Sequence, residues 1–229
     1  MSQRELAMAL GRAMLCTRPD VSHALSLTSR YQSDPGEEYW KAVKDILKYL
    51  KRTKDLFLVY GGCTDDLSVT GYVDVSFSSD PDDSKSQTGY VFVVNGGAVS
   101  WRSGKQAVVA QSTMESEYIA ANDAANEAVW MRKFLIELGV FPCAQDPVNI
   151  YCDNTGAIAN AKEPRSHSTA KHIFRCFHVI RQFIKDGDVK ICKVHMDLNV
   201  EYPLAKALPQ EKHDKHHDAI GVRILPDVN

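Results

Sequence analysis

Three acidic residues in this chain stand where solvation does not explain them. Asp74 lies in GYVDVSF, between Val73 and Val75, and a carboxylate in the middle of a β-type run is disfavoured. Glu117 lies in STMESEYIA, on a helical stretch, and shares a face with Met114, Ala121, Ala124 and Ala128. Those small and apolar residues suit close packing on a sheet. Glu115 instead shares a solvent face with Asn122, Asn126 and Lys133, and reads as helix capping. Asp153 follows the apolar run NIYC, at the carboxyl end of a strand, where open sheets gather ligands. Taken singly, Asp74 can be an outward, solvated side chain, and Asp153 with Asn154 can cap a helix. Together they are hard oxygen donors from three elements, which suits Mg²⁺ or Mn²⁺ rather than zinc. Two such ions activate a water and stabilise the leaving oxygen in phosphodiester hydrolysis. A buried, unpaired carboxylate is costly, and a bound cation is one of the few remedies. A structure with these side chains scattered, or paired off with lysines and arginines, would end that reading.

The elements that must position these acids follow from the periodicity. In residues 1–62 the clearest segment is PGEEYWKAVKDILKYLKRT, where Asp34 is the expected cap and Pro35 the first helical position. Tyr39, Trp40, Val43, Ile46, Leu47 and Leu50 form one apolar stripe. LFLVY then reads as a strand. From Leu67 the pattern turns to β: SVTGYVDVSF, GYVFVV and AVSWRS are strands, with a tight turn at NGG. A helix is expected from Thr113 to Leu138, capped by Ser112 and closed by Gly139. VNIYCD and DVKICKVH are strands that alternate with the helices TGAIANAK and HSTAKHIFRCFHVIRQFIKDG. Two short helical pieces close the chain. The order βββαβαβα predicts an α/β fold: a mixed sheet, antiparallel then parallel, with helices on its faces. Trp101 and Trp130 are expected in the core. The expected divisions are 1–62, 67–209 and 210–229, the last an exposed tail helix carrying KHDKHH.

Composition narrows the functional class. The chain has 229 residues, 44% of them hydrophobic, with a net charge of −2. Such a balance gives no global sign of nucleic-acid binding, so that role would need local charge. No apolar run approaches the roughly 20 residues of a membrane span, and the first twenty residues fit a secretory signal poorly. Cys16, Cys63, Cys143, Cys152, Cys176 and Cys192 include no C-x-x-C pair. Reduced thiols in a cytoplasmic or nuclear, unsecreted protein are the expectation.

GYVDVSF, QTGYVFVVNGGAVSWRSGKQ, QSTMESEYIA, YCDNTGAI and HSTAKHI resemble, in this order, the ribonuclease H region of copia-class LTR retrotransposon Pol polyproteins. LCTRPDVSHA and EEYWKAVKDILKYLKRT resemble the segment that precedes that region. The resemblance implies a ribonuclease H-like mixed five-stranded sheet flanked by helices, with residues 1–62 a helical remnant of the reverse-transcriptase thumb or connection. It implies cleavage of the RNA strand of RNA–DNA hybrids with two Mg²⁺ ions. By position, Asp74, Glu117 and Asp153 match the family's catalytic and metal-binding acids.

The fourth acid is altered. The family pattern N-x-A-D-x-x-T-K falls on Asn199 to Lys206, so Tyr202 stands in the aspartate's place and Glu201 in the alanine's. Neighbouring helical positions point about 100° apart, so Glu201 is expected to aim away from the metal and to substitute incompletely. The second ion should then be weakly held. His195 could shuttle a proton or assist product release.

A nucleic-acid track is expected in the stretch from Lys162 to Lys193, which has eight Lys/Arg against three Asp/Glu, whereas Asp65 to Asp83 has six acids and no base. Lys162, Arg165, Lys171 and Arg175, with His167 and His172, are the phosphate candidates. Gln111, Ser112 and Asn154 could contact sugar hydroxyls, the means of telling RNA from DNA. The partners expected are an RNA–DNA hybrid and a reverse transcriptase or other polyprotein component. An impaired retrotransposon-derived protein that binds nucleic acid or a protein partner is the alternative. The oligomeric state is open.

Overall fold

A computed structural model describes residues 3–61, 67–139, 142–162 and 171–225. Three helices come first: α1 (Gln3–Cys16), α2 (Ser22–Ser29) and α3 (Glu37–Arg52), followed by β1 (Leu56–Leu58). The central body runs β2 (Thr70–Ser76), β3 (Gln87–Val94), β4 (Gly97–Lys105), α4 (Thr113–Leu138), β5 (Val148–Cys152), α5 (Thr155–Lys162), α6 (Lys171–Lys185) and β6 (Val189–Lys193). The chain closes with α7 (Tyr202–Ala205), α8 (Gln210–Ala219) and β7 (Val222–Ile224). The main sheet has five strands in the order β4-β3-β2-β5-β6. β2, β3 and β4 pair antiparallel, and β2, β5 and β6 pair parallel. This is the ribonuclease H-like mixed sheet that the resemblance implies.

Local chemistry explains the elements. Asn95 and Gly96 both take positive φ, at 47° and 75°, which is the two-residue turn whose twist matches a hairpin. The 26-residue α4 begins where the Ser112 side chain accepts from the Glu115 amide at 3.2 Å, and ends on Gly139 at φ 71°. Alternation along β2 sends Val73 and Val75 to the α4 side, where Tyr118, Ala121, Ala124 and Ala128 bury against them. Tyr72 faces the other side, with Val91, Leu204, Ile220 and Val222. Asp74, two residues on, shares that face.

The expected apolar stripe of α3 is present: Val43 and Ile46 are buried with Leu10, and Tyr39, Trp40, Leu47 and Leu50 pack around them. The helix starts two residues later than expected, with Gly36 rather than Asp34 at its cap. β1 pairs antiparallel with β7, Phe57 opposite Arg223, so the end of the chain returns as a strand after α8. His217, expected on an exposed tail, is buried and lies 3.1 Å from the Tyr49 hydroxyl, which donates to Asp20 at 2.7 Å. Trp130, expected in the core, is 59% exposed and stacks on Phe134 with the rings 5.8 Å apart. Among the described residues no helix is long and apolar enough to cross a membrane.

Candidate active site

Each acid is carried by a different element. Asp74 is buried in the middle of β2, opposite Gly89 of β3. Glu117 is buried in the second turn of α4. Asp153 follows β5 directly, before α5, and Asn154 caps that helix by accepting from the Ala157 amide at 2.9 Å. Asp153 is thus left available for other chemistry. Glu117, Cys152 and Asp153 can each present a ligand atom within 4.8 Å of the others. Cys152 was not a site candidate in the sequence. It is fully buried, and burial pushes its thiol well above the ordinary value, so it is a wall of the site and a poor ligand for a hard cation.

The fourth carboxylate differs from the expectation. Glu201 is fully buried, and its carboxyl lies over Gly89. A Cβ added at Gly89 would meet Glu201 Oε1 at 1.6 Å and the Ala205 amide nitrogen at 2.9 Å. Directly opposed residues of a pair project to the same face, so Glu201 reaches the face that carries Asp74. It lies there as a buried carboxyl packed over Gly89. Its backbone, at φ −77° and ψ −20°, sits at the cap of a four-residue helix, where the regular 100° step does not yet fix direction. Asn199 holds the turn in place, its buried amide donating to the Val73 carbonyl at 3.1 Å. Gly89→Ala should therefore lower stability by about 1–3 kcal/mol through overpacking. Urea denaturation measures it, and an unchanged midpoint would contradict this packing.

Tyr202, expected at the aspartate's place, donates its hydroxyl to Asp153 Oδ2 at 3.1 Å. Lys206 extends back from the end of α7. Its Nζ lies 2.6 Å from Asp74 Oδ2 and 4.7 Å from the centre of the Tyr202 ring. Burial alone would lower the Lys206 pKa, but Asp74, then Glu201 and Glu117, raise it, so the ammonium stays charged. One of the three acids is thus paired with a lysine, against the expectation of cation-only compensation.

The rest of the set still fits a divalent ion. Glu117 Oε2, both Glu201 oxygens and Asp74 Oδ2 are buried with no hydrogen-bond partner among the described residues, Asp74 Oδ2 having its ion pair with Lys206. Burial, then Asp74 and Asp153, push Glu117 up to about 9. Burial and then Asp74 push Glu201 well above the ordinary carboxylate value. Converging carboxylates whose charged forms are this disfavoured are what a bound cation would relieve.

The remaining candidates separate. Gln111 and Ser112 are exposed at the start of α4, the end that carries Glu117. His195 is exposed just past β6, ahead of the turn that leads to α7. Arg165 and His167 lie outside the described residues, as do the side chains of Lys162, Lys171, His172 and Arg175. Within the basic stretch Arg181 is committed to packing, donating to the Asn160 carbonyl at 2.9 Å and 3.1 Å. The acidic stretch is less free than its composition suggests. Asp80 is bonded by Lys105 at 2.8 Å and by Arg30, and Asp83 by Lys105 at 2.9 Å. These acids tie the β2–β3 loop to α2 and β4.

No family model matches the chain. It is 40% identical over 210 residues to the retrovirus-related Pol polyprotein from transposon TNT 1-94 of Nicotiana tabacum, covering 92% of this chain and 15% of that protein. It is 34% identical over 212 residues to the Pol polyprotein from transposon RE2 of Arabidopsis thaliana, covering 92% and 14%. The chain thus spans about one seventh of the length of these relatives. Among solved structures, ribonuclease H1 from Halobacterium salinarum aligns with a TM-score of 0.40 at 20% identity, over 65% of this chain and 98% of that one. Over nearly its whole length the chain is thus similar to a segment of copia-type retrovirus-related Pol polyproteins, and its five-stranded mixed sheet is the ribonuclease H fold.

Proposed function

We propose that the chain is a metal-dependent endoribonuclease that cuts the RNA strand of RNA–DNA hybrids. The observation that carries this reading is the approach of Glu117 and Asp153, whose oxygens can come within 4.8 Å of each other, with Glu117 Oε2 lacking any donor among the described residues. Mg²⁺ or Mn²⁺ bound there would supply Lewis-acid stabilisation of the phosphodiester oxygens and a more acidic water. Asp74, Glu117 and Asp153 would hold the first ion. The position of a second ion is weakened, because Tyr202 offers a neutral phenol where the family has a carboxylate. Glu201 adds negative potential from within the sheet and excludes water behind Asp74. Gln111 and Ser112 would meet the ribose hydroxyls of the RNA strand beside Glu117. His195, exposed past β6, would shuttle a proton to the departing oxygen or assist product release. The basic face around α6 would track the phosphates of the hybrid.

A second reading has its own support. Lys206 on Asp74 and the phenol of Tyr202 on Asp153 are contacts that a divalent ion must live beside. They favour a retrotransposon-derived protein that binds hybrids without turnover. Cleavage of a labelled RNA–DNA hybrid decides between them. We expect cutting of the RNA strand alone, faster in Mn²⁺ than in Mg²⁺, and none with Asp74→Asn. Binding without cutting in both ions would overturn the nuclease reading and leave the second.

A further inference from the structure

The oxygens around the carboxylate site are not equally available. Asp74 Oδ2 is taken by Lys206 Nζ at 2.6 Å. Asp153 Oδ2 is taken by the Tyr202 hydroxyl at 3.1 Å. These two contacts come from one turn of chain, since Tyr202 and Lys206 are four residues apart and the Lys206 amide bonds the Tyr202 carbonyl at 3.0 Å. The ammonium is fixed on a second side as well, over the Tyr202 ring at 4.7 Å, an arrangement favourable to a cation. Tyr202 is itself braced edge-on by His216 of α8, with ring centres 5.9 Å apart. Lys206 is therefore a positive charge held at a defined point between a catalytic-site carboxylate and an aromatic platform.

A two-ion site sets one positive charge by the attacking oxygen and one by the leaving oxygen. Here one oxygen of Asp74 is already paired with an ammonium, and the ring of Tyr202 supports that cation. We propose that the Lys206 ammonium fills the place of the second divalent ion, so that the site works with one divalent ion and one lysine. The inference rests on the nuclease reading above and specifies its electrostatics. Glu117 and Asp153, with the other oxygen of Asp74, would hold the remaining ion. Lys206 supplies the second positive charge toward the scissile phosphate and, being covalently attached, does so at any metal concentration. Tyr202 is then a positioning residue: it keeps Lys206 on Asp74 and keeps Asp153 turned to the single ion.

Mn²⁺ binding followed by calorimetry and by electron paramagnetic resonance tests this, with hybrid cleavage measured across the same Mn²⁺ series. The wild type should bind one ion. Lys206→Met should bind a second, weaker ion, and lose cleavage by at least about thirtyfold at low Mn²⁺. High Mn²⁺ should restore most of that loss, which a merely structural defect would not permit. Lys206→Arg keeps the charge and should keep one ion; it and the wild type decide the matter if the methionine variant does not fold. Two ions in the wild type would overturn the inference and leave the nuclease reading standing. A methionine variant that still binds one ion and is not rescued would also overturn it. No Mn²⁺ bound at the carboxylates of the wild type would overturn both.

Discussion

Replacing Glu117 by glutamine should abolish hybrid cleavage, by at least about a hundredfold, and yet stabilise the metal-free protein at pH 8. The second half of this result separates a functional carboxylate from a structural one. Glu117 is buried, its Oε2 has no donor among the described residues, and its folded-state pKa is pushed up to about 9 from an ordinary 4.5. Between those values the folded chain holds a proton that the unfolded chain releases. Stability must therefore fall as pH rises through this window, because the folded state binds more protons than the unfolded state. Glutamine matches the shape and removes the cost. At pH 8 the gain should be roughly 2–4 kcal/mol, from about 1.36 kcal/mol per unit with allowance for relaxation around the charge. At pH 5 it should shrink to a few tenths. Added Mg²⁺ should reverse the order, stabilising the wild type by mass action and leaving the glutamine variant unmoved. Chemical denaturation at the two pH values, with and without Mg²⁺, measures all four quantities. A glutamine variant less stable than wild type at pH 8 without metal would mean that Glu117 makes a favourable contact in the fold.

Tyr202→Asp is expected to raise cleavage in Mg²⁺ about tenfold, equivalent to roughly 1.4 kcal/mol in the barrier. The phenol now spends its hydroxyl on Asp153 Oδ2 and its ring on Lys206. An aspartate there adds a hard oxygen at the entry to α7 and releases both contacts, and the Mn²⁺ stoichiometry should rise from one to two. Tyr202→Phe removes the hydroxyl, keeps the ring, and should bring no gain. If the aspartate variant also brings none, Tyr202 is not what limits the site.

The sequence exposed most of the sheet and little of the compensation within it. Strands β2 to β4 were legible because their apolar runs are bounded by turn residues, and Asn95 and Gly96 take the positive φ that such a turn demands. Both ends of α4 fell on Ser112 and Gly139, because caps are local chemistry. Asp74, Glu117 and Asp153 stood out as charges in apolar settings, which is also local. What escaped was long-range or too short for periodicity. β7 is three residues long, too brief to alternate, and it looks like a strand only beside β1, which the apolar run LFLVY had already marked. The Lys206–Asp74 pair joins distant points of the chain. The direction of Glu201 depends on the space left by Gly89 on another strand. Both Glu201 and Gly89 were visible as residues, but their contact was not. Trp130 was misjudged for a related reason. Its size suggested the core, whereas the narrow alanine face of α4 does the packing and leaves Trp130 and Phe134 stacked outside.

The claim on which the account turns is that Asp74, Glu117 and Asp153 share a divalent cation. Anomalous diffraction from crystals grown with Mn²⁺ tests it most directly. The account predicts one strong peak bonded to those three carboxylates, with Lys206 still on the far oxygen of Asp74. Their site empty, with manganese only elsewhere, as at His213 and His217 of α8, would contradict it.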